Sequence, residues 1–431
     1  MKGLICNNLA KLSHGGGGKT SNLKRTALSC TLLTTLLTSA SAARDINAGN
    51  HNAFAINDET VTIKSGATVN SGKPQVNGYN ANGSSIAVGQ NGKESSITIE
   101  EGGKLNGRIY TRAAKIKDII INGSIGAGPS NASIINFRGT KIEKIEVGRT
   151  GVLEGGIINS WFKNVGVASG KSTINNIDIK GEVKGGIKNQ SGTMQTISIT
   201  GSGSVSGGIQ NDDTMHTLKI ENGGSVSGDI INNKTMQNIS VNNGTVNNNI
   251  QNSGTISGVT ITNSTIGGNI VNSGQNASTG NISITGTSDI KGSIVNQNGA
   301  TFNNQITLEQ GSKLGGISNT QGSTMSGQLD LKGEVGAINN AGKFDSTLTL
   351  SNKVGEINNA EGGTISKDIT INNGGSVGTL ANAGTMQNIT NNGTLSNITN
   401  SGTMQAITNN ATTGTLTLTN SGGTIDKITN G

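Results

Sequence analysis

The chain predicts an all-β fold, a right-handed parallel β-helix (β-solenoid) of about 17 turns with rungs of about 18–24 residues. Three observations lead there. The first is a repeat: from Thr193 to Asn272 the chain reads TMQTISITGSGSVSGGIQN, TMHTLKIENGGSVSGDIIN, TMQNISVNNGTVNNNIQN, TISGVTITNSTIGGNIVN, with rungs starting at Thr193, Thr214, Thr235 and Thr255. A period near 20 residues marks a solenoid, whose units bury their apolar residues only by stacking. The second is even spacing. Apolar-polar-apolar triplets (Ile197/Ile199, Leu218/Ile220, Ile239/Val241, Val259/Ile261) are followed by pairs four apart (Val205/Ile209, Val226/Ile230, Val246/Ile250, Ile266/Ile270). Even spacing puts these side chains on one face of a strand, and no long 3.6-residue apolar repeat competes with it. The third is composition. Gly reaches 67 residues against 2% aromatic and 13% charged, which suits tight turns around a narrow aliphatic interior.

Residues 1–42 read as a targeting segment with an extended n-region. Lys24 and Arg25 precede an apolar, Thr-rich run from Ala27 to Thr38, and Ala40 and Ala42 form an A-x-A site. Cleavage after Ala42 is expected, and the run is too short to anchor in a bilayer, which takes about 20 apolar residues. Cys30 lies too early in that run for lipoprotein processing. Both cysteines, Cys6 and Cys30, fall in this leader. The stretch Gly15–Thr20 has some glycines of a phosphate-binding loop, but Ser13 stands where the motif needs Gly, and neither the strand nor the helix that should flank it is evident.

The net charge of +7 is mostly a property of the leader. Setting aside Lys2, Lys11, Lys19, Lys24 and Arg25 lowers the 32 basic residues to 27, against 25 acidic. A concentrated basic face, which nucleic-acid binding requires, is missing from that balance, so no nucleic-acid partner is expected.

Residues 43–92 read as an N-terminal cap and irregular first turns, with Ala53–Ile56 covering the open end and Val61/Ile63 as an early triplet. Residues 93–431 read as the β-helix proper. Its early triplets, Ile97/Ile99, Ile119/Ile121, Ile145/Val147 and Ile177/Ile179, are spaced widely enough to require insertions. The longest insertion, around Asn159 to Thr173, holds Trp161 and Phe162, as a loop anchor or a contact patch. From Gly384 the repeat halves to GTMQNITNN, GTLSNITNS and GTMQAITNN, two units per turn. Asn189, Asn211, Asn232, Asn252 and Asn272 each follow the last Ile of a rung by two, the spacing of a stacked amide ladder.

Chemistry is sparse. His216 takes the slot of Gln195 and Gln237, His51 stands alone, and zinc-ligand spacing is absent. Asp212-Asp213, Asp58-Glu59 and Glu100-Glu101 sit at turns. No catalytic, cofactor-binding or metal-ligating residue is assigned, no cofactor is implied, and no enzyme activity is expected. The alternative is a carbohydrate-active β-helix enzyme of polysaccharide lyase or hydrolase type. It would bring several acids together on one face, often beside aromatics.

The leader with Lys24-Arg25, the Ala40-Ser41-Ala42 site, the Cys-free remainder and the Gly/Asn/Thr-rich rungs together resemble the passenger of a Gram-negative autotransporter, a type V secreted protein. The resemblance implies export through the inner membrane and threading through an outer-membrane β-barrel translocator. It further implies adhesion, host-surface contact or self-association at the cell surface or outside it. Such proteins carry a barrel with strands of about 9–11 residues and aromatic girdles, whereas Gly384–Gly431 has no aromatic residue. A truncated or split product is therefore expected, periplasmic unless another chain supplies the barrel.

Overall fold

The structure, a computed structural model, describes residues 42–89, 92–160, 170–412 and 414–431. The leader motifs, Cys6, Cys30, Trp161 and Phe162 lie outside them.

Residues Ala43–Gly431 form one unit, a parallel β-solenoid of about 18 turns with rungs of about 21 residues. Two long parallel sheets run its length, joined by a separate two-stranded antiparallel hairpin, Gln75–Val76 with Tyr79–Asn80. The rung beginning at Thr193 shows the logic. Strand Thr193–Thr200 lies in the first sheet, and the short strands Ser204–Val205 and Ile209–Asn211 lie in the second. Met194, Ile197, Ile199, Val205 and Ile209 point inward and are almost fully buried. The next rung stacks directly on it, Met194 on Met215, Ile197 on Leu218, Ile199 on Ile220, Val205 on Val226 and Ile209 on Ile230. At about 1.5–3 kcal/mol per buried aliphatic side chain, each rung gains its interior only from the neighbours above and below.

The expected amide ladder is present and longer than the five residues that announced it. From Asn136 to Asn420, each asparagine ending a second-sheet strand donates Nδ2 to the Oδ1 of its counterpart one rung on; Asn189–Asn211, Asn211–Asn232 and Asn232–Asn252 are each 2.8 Å. From Asn136 to Asn400 these side chains are buried, not exposed at the turns. Each Nδ2 also meets a backbone carbonyl, as Asn211 does with Thr235 O at 2.8 Å. Because a carbonyl only accepts, that contact fixes which way round the amide lies. Thr111 donates to Asn136 and starts the chain of bonds. At the stretched link, Asn252 to Asn272 at 3.4 Å, Thr279 Oγ1 bridges the gap, accepting from Asn252 at 2.9 Å and donating to Asn272 at 3.0 Å.

Turns obey the same stacking. One slot holds Gly201, Asn222, Asn243, Asn263 and Gly286 in successive rungs, all with φ between 48° and 68°. This left-handed conformation costs Gly nothing and Asn little. Two residues on, a Cβ on Gly203 or Gly224 would lie 2.2 Å from the carbonyl oxygen of Ile179 or Ile199 below, so the close approach of backbones requires glycine there.

Strands in coil register are already present within the first turns. Ala42–Ile46 and Glu59–Ile63 already belong to the first sheet, and Phe54–Ile56 pairs with Ser84–Val88 in the second. The irregularity of 43–92 comes from the hairpin inserted at Gln75–Asn80. Val61 and Ile63 stack under Ile97 and Ile99, as their triplet implied. The long strand also changes sheets midway. It lies in the first sheet up to Ser278–Thr285, in the second from Asp289–Gln297 to Thr394–Asn400, and in the first again at Thr403–Asn409 and Thr424–Asn430. The half-length repeats close as two units per turn, with Asn382 bonding Asn400 at 2.8 Å.

Replacing Ile220 with Asp should melt more than its own rung, because a buried unpaired charge costs on the order of several kcal/mol. Lys219→Ser, on the exposed position beside it, should change little. Thermal denaturation of the two variants checks the inward register, and equal melting would refute it.

Asn232→Asp tests the ladder. The new carboxylate still accepts from Asn211 but faces Thr255 O and Asn252 Oδ1 with no hydrogen to give them. A loss of roughly 3 kcal/mol or more is expected, against almost none for Asn248→Asp on the exposed edge. Hydrogen exchange should show faster opening centred on the coil of Asn232.

Candidate functional site

Most of the acids singled out in the sequence have partners within the coils. Asp213 accepts from Lys171 Nζ and Gly192 N–H, each at 2.8 Å, and Asp212 accepts from Gln210 and Asn233. Burial alone would raise the Asp213 carboxyl, but Lys171, Gly192 and Thr214 together hold it below the ordinary carboxylate range. Asp58 accepts the Lys93 N–H, Glu59 pairs with Arg44 at 3.0 Å, and Glu100 pairs with Lys64 at 2.9 Å. His51 contacts Asn47 O at 2.7 Å. His216 lies on the outer side of its strand, next to buried Met215. Among the described residues, no group of three or more His, Cys, Asp or Glu is placed to hold a metal ion.

The outer face of the first sheet carries charge ladders between rungs. Glu146 receives Lys144 Nζ at 2.6 Å from its own strand and Lys180 Nζ at 2.9 Å from the next rung. Those two ammonium groups hold its carboxyl below the usual range against the opposing effect of burial.

A different environment lies outside the second sheet near its start. There the outward column runs Ala55, Ala87, Tyr110, Ile135, Ile158, in register through four strand pairings. The Gln75–Asn80 hairpin folds over it, so that Val76 and Ala81 join Ala87 and Tyr110 in a second, smaller apolar cluster with Ile135 and Phe137 against it. Tyr79 stacks on Tyr110 with ring centroids 5.5 Å apart and planes 18° apart, and Tyr110 meets Phe137 at 5.9 Å. Tyr79 stays 43% exposed while Tyr110 is 4% exposed, so the outer ring is reachable from solvent and the inner one backs it.

Three guanidinium groups surround these rings. Arg112 lies 4.7 Å over Tyr79, Arg108 5.6 Å from Tyr110 and Arg138 5.9 Å from Phe137. Arg108 is structural: it donates to Pro129 O at 2.8 Å and Asn82 O at 3.0 Å, tying the hairpin to the 129–131 turn. Arg112 and Arg138 form no ion pair among the described residues, and Arg138 Nε is buried without a hydrogen-bond partner there. Burial, with Tyr79 adding to it, pushes the Tyr110 hydroxyl up to about 12 against the pull of Arg112. Between the rings and the 129–131 turn is a cleft of about 310 Å³, floored by Ile135 and Ile158 and edged by Ser130, Ser160 and Gln190.

Sequence reasoning passed over this cleft, although a signal was available. Every arginine after the leader lies between Arg44 and Arg149, and beyond residue 162 the only aromatics are Phe302 and Phe344, both buried in the interior.

The fold is that of a parallel β-solenoid. No protein-family model matches the chain, and no curated protein matches it in sequence.

Acid should weaken the early coils. Glu146 titrates lower in the folded chain than its unfolded value of about 4.3. Its contribution is therefore complete above that value and is lost as pH falls through the lower folded-state value. Thermal melts from pH 7 to pH 3 should show Tm falling, and Glu146→Gln should lower Tm at pH 7 while making the acid-dependent fall smaller.

Proposed function

We propose that this chain is an exported structural and binding solenoid, the passenger part of a type V secretion system, presented at a cell surface by an outer-membrane barrel. It would act through adhesion or self-association and carry out no chemistry. The observation that carries this reading is the repetition of polar side chains on the outside of the first sheet. Ser198, Lys219, Ser240, Thr260, Ser283 and Thr307 stand in one register column. Parallel strands repeat such groups about every 4.8 Å, a surface that favours many weak contacts with another repetitive surface. The acids named above are occupied by turns and lysines, which supports binding over acid-base catalysis. The leader and the Cys-free remainder support export.

Expression of the full chain joined to an outer-membrane barrel tests the reading. Cells should clump or bind surfaces more than cells carrying the barrel alone. Unchanged behaviour would count against adhesion, and breakdown of a polysaccharide by the purified chain would replace the binding reading with the carbohydrate-active enzyme.

A further inference from the structure

We infer that the cleft beside Tyr79, Arg112 and Arg138 binds an acidic saccharide, a sugar ring bearing a carboxylate. This rests on the reading of the chain as a binding solenoid and assigns one ligand class to one place on it.

Three features converge on that chemistry. Tyr79 offers an exposed aromatic ring backed by Tyr110, and the C–H groups of a pyranose pack against such a ring while its hydroxyls stay hydrated. Arg112 lies over the same ring and Arg138 over the neighbouring Phe137, so two guanidinium groups adjoin the aromatic cluster. A planar guanidinium pairs best with a carboxylate. Ser130 and Gln190 at the rim supply hydroxyl and amide partners for sugar hydroxyls.

Arg112 and Arg138 form no ion pair among the described residues, so neither guanidinium charge beside the rings is already matched by a carboxylate.

A single nucleic-acid strand also uses stacking and arginine, but it needs a basic groove several nucleotides long. Here a single ring, Tyr79, is exposed, and the outward column turns from Ile158 to a single Lys188 in the next rung. A short acidic glycan fits that extent better.

The cleft binds without turning over its ligand. Tyr110 keeps its proton far above neutral pH, and Arg108 holds its protons on two carbonyl oxygens. Neither is available as a base.

The test uses the purified full chain, titrated calorimetrically with oligogalacturonate, with sialyllactose and with lactose as the neutral counterpart. At least one acidic ligand should bind about tenfold or more tightly than lactose, and more weakly as salt rises. Which one binds separates a uronate polymer from a sialylated glycan as the source. Tyr79→Ala and Arg112→Gln should each reduce that affinity about tenfold or more, with thermal melts showing the coils intact; Tyr79 is exposed on the hairpin and its loss leaves the inward columns untouched. Failure to bind either acidic sugar, equal binding of lactose, unchanged affinity in the Tyr79→Ala/Arg112→Gln double variant, or preference for an oligodeoxythymidine would overturn the assignment. Carrying the double variant on the barrel separates the two levels. Clumping that persists without acidic-sugar binding sinks this site alone, and absence of clumping in the unaltered chain sinks the passenger reading.

Discussion

Each coil from Asn136 onward buries an amide at the end of its second-sheet strand, and that amide must find the same group one rung above and one below. An unsatisfied buried amide costs about 1–3 kcal/mol, so register at this position is enforced by polar groups as firmly as by aliphatic packing. The bonds all run one way along the solenoid, Nδ2 toward the later rung, which lets each polarise the next in a low-dielectric interior. A slip of one residue would put Asn211 in an outward slot and an outward side chain in the ladder. Rung length is left free by this constraint, because residues added at a corner do not move the stacked columns. Asn159 bonds Asn189 thirty positions away at 2.8 Å, and Asn382 bonds Asn400 eighteen away at the same distance.

The change of long strand from the first sheet to the second fits the same logic. On both sides of it the inward positions remain aliphatic and in register; Ile284 stacks on Leu308, and Ile294 on Ile317. What changes is where the backbone makes its bend. The one ladder bond that lengthens, Asn252 to Asn272, adjoins this change, and Thr279 fills it from the long strand that follows. A hydroxyl that both donates and accepts is the smallest side chain able to do so.

Much of this was legible in the sequence, since a stacked fold writes its contacts as periodicity. The triplets, their partners four apart and the asparagines two beyond them each became a column of the interior. Other features stood outside that pattern. Met194, Met215 and Met236 form a further inward column that recurs with the repeat but lies three residues before Ile197 and its stack, a spacing that even alternation omits. The exchange of long and short strands preserves the apolar order along the chain, so nothing in that order announces it. The hairpin at Gln75–Asn80 occurs once, and its apolar residues pack on the outside of a sheet, where alternation predicts polar groups. Residues 43–92 therefore read as a cap although most of their strands are in coil register.

The aromatic cleft shows why the least repetitive part of the chain is the natural place for specificity. A solenoid with identical rungs presents identical faces and can distinguish few ligands, since each rung repeats its neighbour's chemistry. Around Tyr79 and Tyr110 the repeat is broken in three ways at once. A hairpin leaves the stack, the outward column turns apolar, and arginines lie against the rings. Each departure would weaken the array if it involved the inward columns, and none does: Ile109, Ile134 and Ile157 stack beneath without interruption. The interior tolerates variation outside because its own register is enforced elsewhere, by the asparagine ladder and the aliphatic columns. A unique surface can thus be built on a repetitive scaffold at little cost to stability.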